Sequence, residues 1–211
     1  MKTNDKAKLI LDQLLTERPA FHGREDAGTK DYSINTGVLK WITENLETAE
    51  ATLETGCGYS TALFSALAKE HTAISPFPQE HQLIKKWLIE KNFDPSNINF
   101  IAEFSQNAIY NLDNKPLDLV LIDGDHAFPA PMIDFYYSAE KIKKGGYLII
   151  DDIQIITGEI MFKFLQCETE RWKFITQSGK TVIFERITDS PVIEGIMWPH
   201  QPFCEKEFII K

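Results

Sequence analysis

Several features that would settle the class of this chain at once are missing from it. No apolar run approaches membrane-spanning length, and Leu9-Ile10-Leu11, although preceded by Lys2, Lys6 and Lys8, is broken by Asp12, too early for a signal-peptide core. Cysteine is scarce: Cys57, Cys167 and Cys204 are odd in number, widely spaced and without a CxxC pair, which argues against a disulfide framework or a zinc cluster and fits a reducing cytoplasm. Positive charge is short as well. The 22 Lys+Arg against 31 Asp+Glu give −9, which speaks against a nucleic-acid backbone as the main partner. There is no internal repeat and no low-complexity stretch. What remains is an ordinary globular composition, 43% hydrophobic and 25% charged over 211 residues, enough for one substantial core.

The stretch Leu53-Glu54-Thr55-Gly56-Cys57-Gly58-Tyr59-Ser60 organises the rest. Ala51 to Leu53 reads as the end of a buried strand, and Thr61 to Lys69 has apolar residues at helical spacing, so Gly56 and Gly58 fall in a strand-to-helix turn. Glycine lets a ligand approach the backbone there, and free N–H groups at the helix start can bind it. Glu54 would repel a pyrophosphate, but it could attract a cationic ligand or anchor a polar one. A plain glycine turn is the alternative.

The flanking elements alternate. Helical spacing predicts helices over about Asp5–Glu17, up to Leu46 behind an Ser33 or Asn35 cap, Glu80–Lys91, Ser105–Leu112, Met132–Lys143 with a stop at Gly145-Gly146, and Ile160–Gln166. Between them, Thr72–Ile74, Ile98–Ala102, Leu117–Ile122 and Tyr147–Ile150 read as buried strands. The breaker-rich Arg18–Lys30 segment is a loop or lid. Trp172–Thr176 and Thr181–Glu185 suit a terminal hairpin with at least one antiparallel strand. The expected architecture is α/β, a Rossmann-like doubly wound, mostly parallel sheet. We expect a single domain over 1–211: N-terminal helices and a candidate lid (1–46), the core (47–187) and a tail (188–211). The tail would pack on its own domain, a homodimer contact or a lid being the other readings.

In such a sheet ligands bind beyond the carboxyl ends of the strands. The polar residues gather at those ends: Glu54 and the glycine turn, Asp123-Gly124-Asp125-His126, and Asp151-Asp152. If the last two strands are neighbours, Asp123 approaches Asp151 and Asp152, and converging carboxylates repel unless a cation lies between them. An all-oxygen cluster favours Mg²⁺, Ca²⁺ or Mn²⁺ over zinc. The plainer reading is that Asp125, Asp151 or Asp152 caps a helix or stays hydrated.

ETGCGYST, LDLVLIDGDH and IKKGGYLIIDD, in this order, resemble the motifs of class I S-adenosylmethionine-dependent methyltransferases, and in combination those of the small-molecule O-methyltransferases of catechol, caffeoyl-coenzyme A and macrolide-sugar type. The resemblance runs from about Tyr32 to Ile187. It implies a seven-stranded sheet with an antiparallel last strand, the cofactor's methionine part beside Glu54, Gly56 and Gly58 with Ser60 nearby, and Mg²⁺ or Mn²⁺ on Asp123, Asp151 and Asp152. It also implies a base at His126, where the catechol and caffeoyl enzymes have lysine. The implied reaction is metal-assisted methylation of a small-molecule hydroxyl. An imidazole, with an ordinary pKa near ~6.5, is partly free base at neutral pH.

Two positions depart from the pattern. Where the second strand should end in a ribose-binding acid, this chain has Ser75-Pro76, so that Ser75 or Glu80 would have to substitute. Asp152 stands where the plant and animal metal enzymes have Asn. His22, His71, His81 and His200 lack a setting like that of His126 and are read as surface or helix residues. The rival readings are a catalytically silent module, which Ser75 favours, and a nicotinamide-dependent dehydrogenase, disfavoured by ExGxG without a third glycine.

Overall fold

The computed structural model describes residues 3–22, 34–193 and 195–205. The proposed Ser33 cap, much of the Arg18–Lys30 segment and the end of the tail lie outside these residues. Seven strands, β1 (Ala49–Thr55), β2 (Ala68–Ile74), β3 (Ile98–Ile101), β4 (Leu117–Ile122), β5 (Ile142–Ile150), β6 (Trp172–Ser178) and β7 (Thr181–Arg186), form one sheet in the order β3-β2-β1-β4-β5-β7-β6. β1 to β5 run parallel, and β7 enters antiparallel between β5 and β6. The order reverses at β1 and β4, so the carboxyl ends of these two strands flank the crevice in which ligands of doubly wound sheets lie.

Strand alternation sends side chains to two cores. Leu119, Leu121, Ile149 and Ile183 face one side with α1 (Thr3–Glu17), α2 (Thr36–Asn45), α3 (Tyr59–Leu67) and α4 (Pro78–Glu90). Val120, Ile122, Leu148, Ile150 and Phe184 face the other with α5 (Ser105–Ala108), α6 (Ala130–Ala139) and α7 (Ile156–Cys167). This explains the unbroken apolar run of β4, which is buried along its whole length. Asn35 caps α2, its Oδ1 accepting from Gly37 N at 2.8 Å. Phe21 is buried edge-on to Tyr59 and Trp87, pinning the chain after α1 against α3 and α4. In the tail, Val192 is buried and Phe203 packs against Phe164 of α7. Among the described residues no helix is long and apolar enough to cross a membrane.

Three predicted boundaries move. The helix expected to run to Lys143 ends at Ala139, and Gly145-Gly146 lies inside β5, where the pairing with β4 shifts register between Leu117 and Leu119. A Cβ on Gly146 would come within 3.0 Å of the Asp118 carbonyl, so this glycine serves strand approach and not helix termination. β2 starts at Ala68, four residues before the expected Thr72. Its exposed first turn of polar residues, Lys69 paired with Glu50 and Glu70 with Lys115, hides the strand from a hydropathy reading. α7 likewise starts at Ile156, ahead of Ile160.

Candidate functional site

The strand ends open into one cavity of about 460 Å³, whose wall includes Glu54, Gly56, Gly58, Ser60, Ser75, Glu80, Asp123, His126, Asp152 and Lys180. Nearly all of the residues singled out in the sequence thus meet in a single space, Asp151 lying just behind its wall.

At the glycine turn the two glycines have different reasons. Gly56 has φ +88, and a Cβ on it would lie 2.3 Å from the Asp123 carbonyl, so β1 and β4 could not close together with any side chain there. Among the described residues a Cβ on Gly58 would meet only His22 Nε2, at 3.8 Å, and Gly58 lines the cavity. Beneath the turn Glu54 is 1% exposed. It accepts hydrogen bonds from Ser60 Oγ at 2.6 Å and from the Thr61 hydroxyl, and its Oε1 lies 3.1 Å from His71 Nε2. Thr61 Oγ1 in turn accepts from Gly58 N, while His71 Nδ1 reaches Thr52 Oγ1 at 2.8 Å and its ring stacks on Phe64. The Glu54 carboxylate therefore braces the turn.

His71 is not a surface or helix residue: it is a buried strand residue that orients Glu54. Strand alternation could have revealed it, had β2 been extended to its true start. His22 also has a setting, on the cavity wall with Nδ1 3.0 Å from Glu80 Oε1. His81 does lie in a helix, and desolvation pulls its pKa down; His200 is exposed.

The departure at Ser75 has a local counterpart. Glu80 sits in the first turn of α4, 2% exposed, with Oε2 accepting from Ser75 Oγ at 2.8 Å. A carboxylate is thus present at the end of β2, carried by the next helix. Cys57 is buried in the turn, and burial, then the charge of Glu54, pushes its thiol well above the usual range, so no reactive thiolate faces the cavity.

On the other side of the cavity the β4, β5 and β7 ends carry the charged groups. Burial first, then the neighbouring Asp151 carboxylate, pushes Asp123 well above the usual carboxylate range. Asp151, 4% exposed, accepts from the Thr181 hydroxyl and lies 3.1 Å from Lys180 Nζ. Asp152 has the left-handed φ of +55, an uncommon backbone for a non-glycine residue. Its Oδ2 lies 2.8 Å from His126 Nε2, and its Oδ1 contacts Lys180 Nζ and Gln154 Nε2, both at 2.6 Å. Burial opposes its charge, but the bonds from Lys180 and Gln154 and the charge of His126 outweigh that and bring its pKa down. Thr157 Oγ1 donates to the His126 carbonyl at 2.8 Å, tying the loop to α7, and Asp125 Oδ1 accepts from Ala127 N. Asp125 takes the plain turn-capping role.

Among the described residues, donor atoms of Asp123, His126 and Asp152 lie within 4.8 Å of one another, an oxygen and nitrogen set that suits a hard divalent ion. Asp151 is not in that set; its oxygens are contacted by Thr181 and Lys180. Lys180 was not singled out in the sequence; it stands in a hairpin turn, 28 residues after Asp152, and only the insertion of β7 beside β5 brings it to the site.

Comparison with known proteins agrees with this geometry. Residues 53–153 match the methyltransferase domain family. A putative O-methyltransferase of Mycobacterium sp. (strain JLS) is 27% identical over 130 residues, 59% of this chain and 58% of that protein. The matched part spans 36% and 58% of the two curated relatives. The structure of the O-methyltransferase NovP superposes with a TM-score of 0.70 at 12% identity, covering 89% of this chain and all of NovP. TomG, an O-methyltransferase of Streptomyces achromogenes solved with S-adenosylmethionine, gives 0.61 at 15% identity, over 84% and 91%. These likenesses show the methyltransferase fold.

Proposed function

We propose that this chain is an S-adenosylmethionine-dependent O-methyltransferase acting on a hydroxyl of a small molecule. The observation that carries this reading is the one continuous cavity, with the glycine turn and Glu80 at one end and the His126–Asp152 pair at the other. The space and its donors fit the cofactor: Gly58 leaves room at the turn, and the acid that the second strand lacks is supplied by Glu80 bonded to Ser75. In this assignment Glu54, Gly56, Gly58, Ser60, Ser75 and Asp123 form the cofactor's surroundings, with Glu80 facing the ribose hydroxyls. When bound, the cofactor supplies an electrophilic methyl group.

The residues of the chain supply the acceptor's side of the reaction. His126 is oriented by Asp152 through Nε2, which leaves Nδ1 as the atom that takes the hydroxyl proton while the oxygen takes the methyl group. Asp152 stabilises the imidazolium that results, as a carboxylate partner does in other His–Asp pairs. Holding acceptor and methyl donor in one enclosed space supplies the proximity term.

A Mg²⁺ or Mn²⁺ ion fits the oxygens of Asp123 and Asp152, with Asp151 behind them, and would supply Lewis-acid polarisation of the acceptor. His126 cannot give Nε2 to an ion and keep the pairing with Asp152 that makes it a base, so the ion is assigned to the carboxylates. Titration calorimetry with S-adenosylhomocysteine, against NAD as the rival ligand, tests the reading. One bound S-adenosylhomocysteine per chain is expected; binding of NAD alone would overturn it in favour of a dehydrogenase.

A further inference from the structure

Among the described residues, Lys180 is the one cation in contact with the acidic edge that the reaction above does not use. It follows Gly179 in the turn between β6 and β7 and reaches back across the sheet end to the cavity wall. Its Nζ bridges Asp152 Oδ1 at 2.6 Å and Asp151 Oδ2 at 3.1 Å. The carboxylates are nearly covered, with side chains 1% and 11% exposed, whereas the lysine side chain is 38% exposed. The backbone beside it is held too, because Ile153 N donates to the Lys180 carbonyl at 3.0 Å and the neighbouring Thr181 hydroxyl bonds Asp151. An exposed ion pair contributes little, but a cation on covered carboxylates neutralises charge that would otherwise be unpaired.

We propose that Lys180 is a built-in competitor for the divalent ion: its ammonium bridges Asp151 and Asp152 and must leave that bridge for an ion to bind at Asp123 and Asp152. This rests on the metal assignment made above. With Asp152 Oδ2 held by His126, Oδ1 is the oxygen left for an ion, and Lys180 sits on it; a charge of +1 beside one of +2 is repelled strongly in a partly covered site. Lysine suits such a role better than arginine, since it has a flexible stem, a compact head and no fork to lock it on a carboxylate. Lys180 thereby sets the threshold of ion concentration at which the edge changes from ammonium-bridged to ion-bound. It also explains how this chain tolerates Asp152 together with Asp123 and Asp151.

The test is Mn²⁺ titration, by calorimetry and by the electron paramagnetic resonance signal of free Mn²⁺, on the full chain and on Lys180→Met, Lys180→Gln, Lys180→Arg and Asp123→Asn. Each sample is also titrated with S-adenosylhomocysteine. Lys180→Met and Lys180→Gln should bind Mn²⁺ at least about tenfold more tightly than wild type. Lys180→Arg, which keeps the charge, should not gain, and Asp123→Asn should lose affinity. Circular dichroism selects whichever neutral variant is folded. Equal or weaker Mn²⁺ binding by the folded neutral variant overturns the inference, as does the absence of Mn²⁺ binding from both wild type and that variant, or failure of both neutral variants to fold, which would make Lys180 a structural counter-ion. Loss of S-adenosylhomocysteine binding in wild type would instead overturn the methyltransferase reading, while the Mn²⁺ comparison would still decide the role of Lys180.

Discussion

The two ends of the cavity each hold buried acids, and they treat them differently. At the glycine turn Glu54 is met by Ser60, Thr61 and His71, all within 17 residues of it in sequence. At the other end Asp123, Asp151 and Asp152 converge, and beside the neutral donors Thr181 and Gln154 they are met by Lys180 from the β6–β7 turn and by His126, three residues after Asp123. A carboxylate surrounded by donors fixes shape, because every oxygen is committed and movement would orphan a buried group. A group of carboxylates in excess of cations holds charge in reserve, and that charge is available to a cation or to a proton being moved. On the function proposed above, the first end holds the ligand and the second does the chemistry.

The strongest way to break this contrast is at His126. In methyl transfer from S-adenosylmethionine to an acceptor found by screening catechols and glycosides, His126→Ala should lower kcat by ~10²–10⁴. Its affinity for S-adenosylhomocysteine should stay at the wild-type value, because the imidazole belongs to the chemical end. A rise of rate with pH is expected in wild type and should be lost in the variant. A variant that keeps both its rate and that rise would assign proton removal to another group.

Gly58→Val is the matching change at the ligand-holding end. Its branched side chain would fill open cavity space next to His22 without touching the sheet, so the melting temperature should hold while affinity for S-adenosylhomocysteine falls about 100-fold, some 2.7 kcal/mol. Gly56→Val should behave oppositely, since it collides with the Asp123 backbone at a positive φ; it should unfold the protein before it changes binding. Equal effects of the two substitutions on stability would remove the distinction between them. A smaller effect is expected for His71→Leu, which leaves Thr52 Oγ1 without its partner and Glu54 with one donor fewer, at a cost of about 2 kcal/mol in urea unfolding.

How much of this could be read from the sequence follows the same division. The glycine turn, Glu54 and Ser60 are local, and their spacing is enough to place them. The strand ends were legible because the last residues of β4, Leu119 to Ile122, and of β5, Tyr147 to Ile150, form apolar runs that stop at Asp123 and Asp151. Lys180 was not legible, because a hairpin can be recognised from its two strands without revealing that the second inserts beside β5 and carries its turn to the site. His71 was hidden by the polar start of β2, whereas Glu80 was legible as a substitute for the acid missing at Ser75, because it lies only five residues on, in the first turn of α4. The stop at Gly145-Gly146 was misread for a related reason: glycine permits close strand approach as readily as it ends a helix.

A buried acid outside the cavity wall, Asp134, sharpens the contrast with the smallest effect. Asp134 of α6 is 0% exposed and receives one clear hydrogen bond, from Ser105 Oγ at 3.0 Å; its Oδ1 has no partner, although the Thr55 hydroxyl is near enough to moderate its pKa. Burial pushes the group up to about 6 from an ordinary 3.8. The folded state therefore keeps this proton over a window in which the unfolded chain has released it, so stability is highest below pH 4 as far as this group is concerned and falls as pH rises to about 6. The full shift corresponds to at most about 3 kcal/mol. Asp134→Asn removes the charge but must place an amide where one oxygen had no donor, so about 1–2 kcal/mol of stabilisation is expected at pH 8 and none at pH 4. Urea unfolding at the two pH values measures this directly. If the variant gains nothing at pH 8, Asp134 is as well supplied with donors as Glu54, and an incomplete donor set is not what separates the buried acids of this protein.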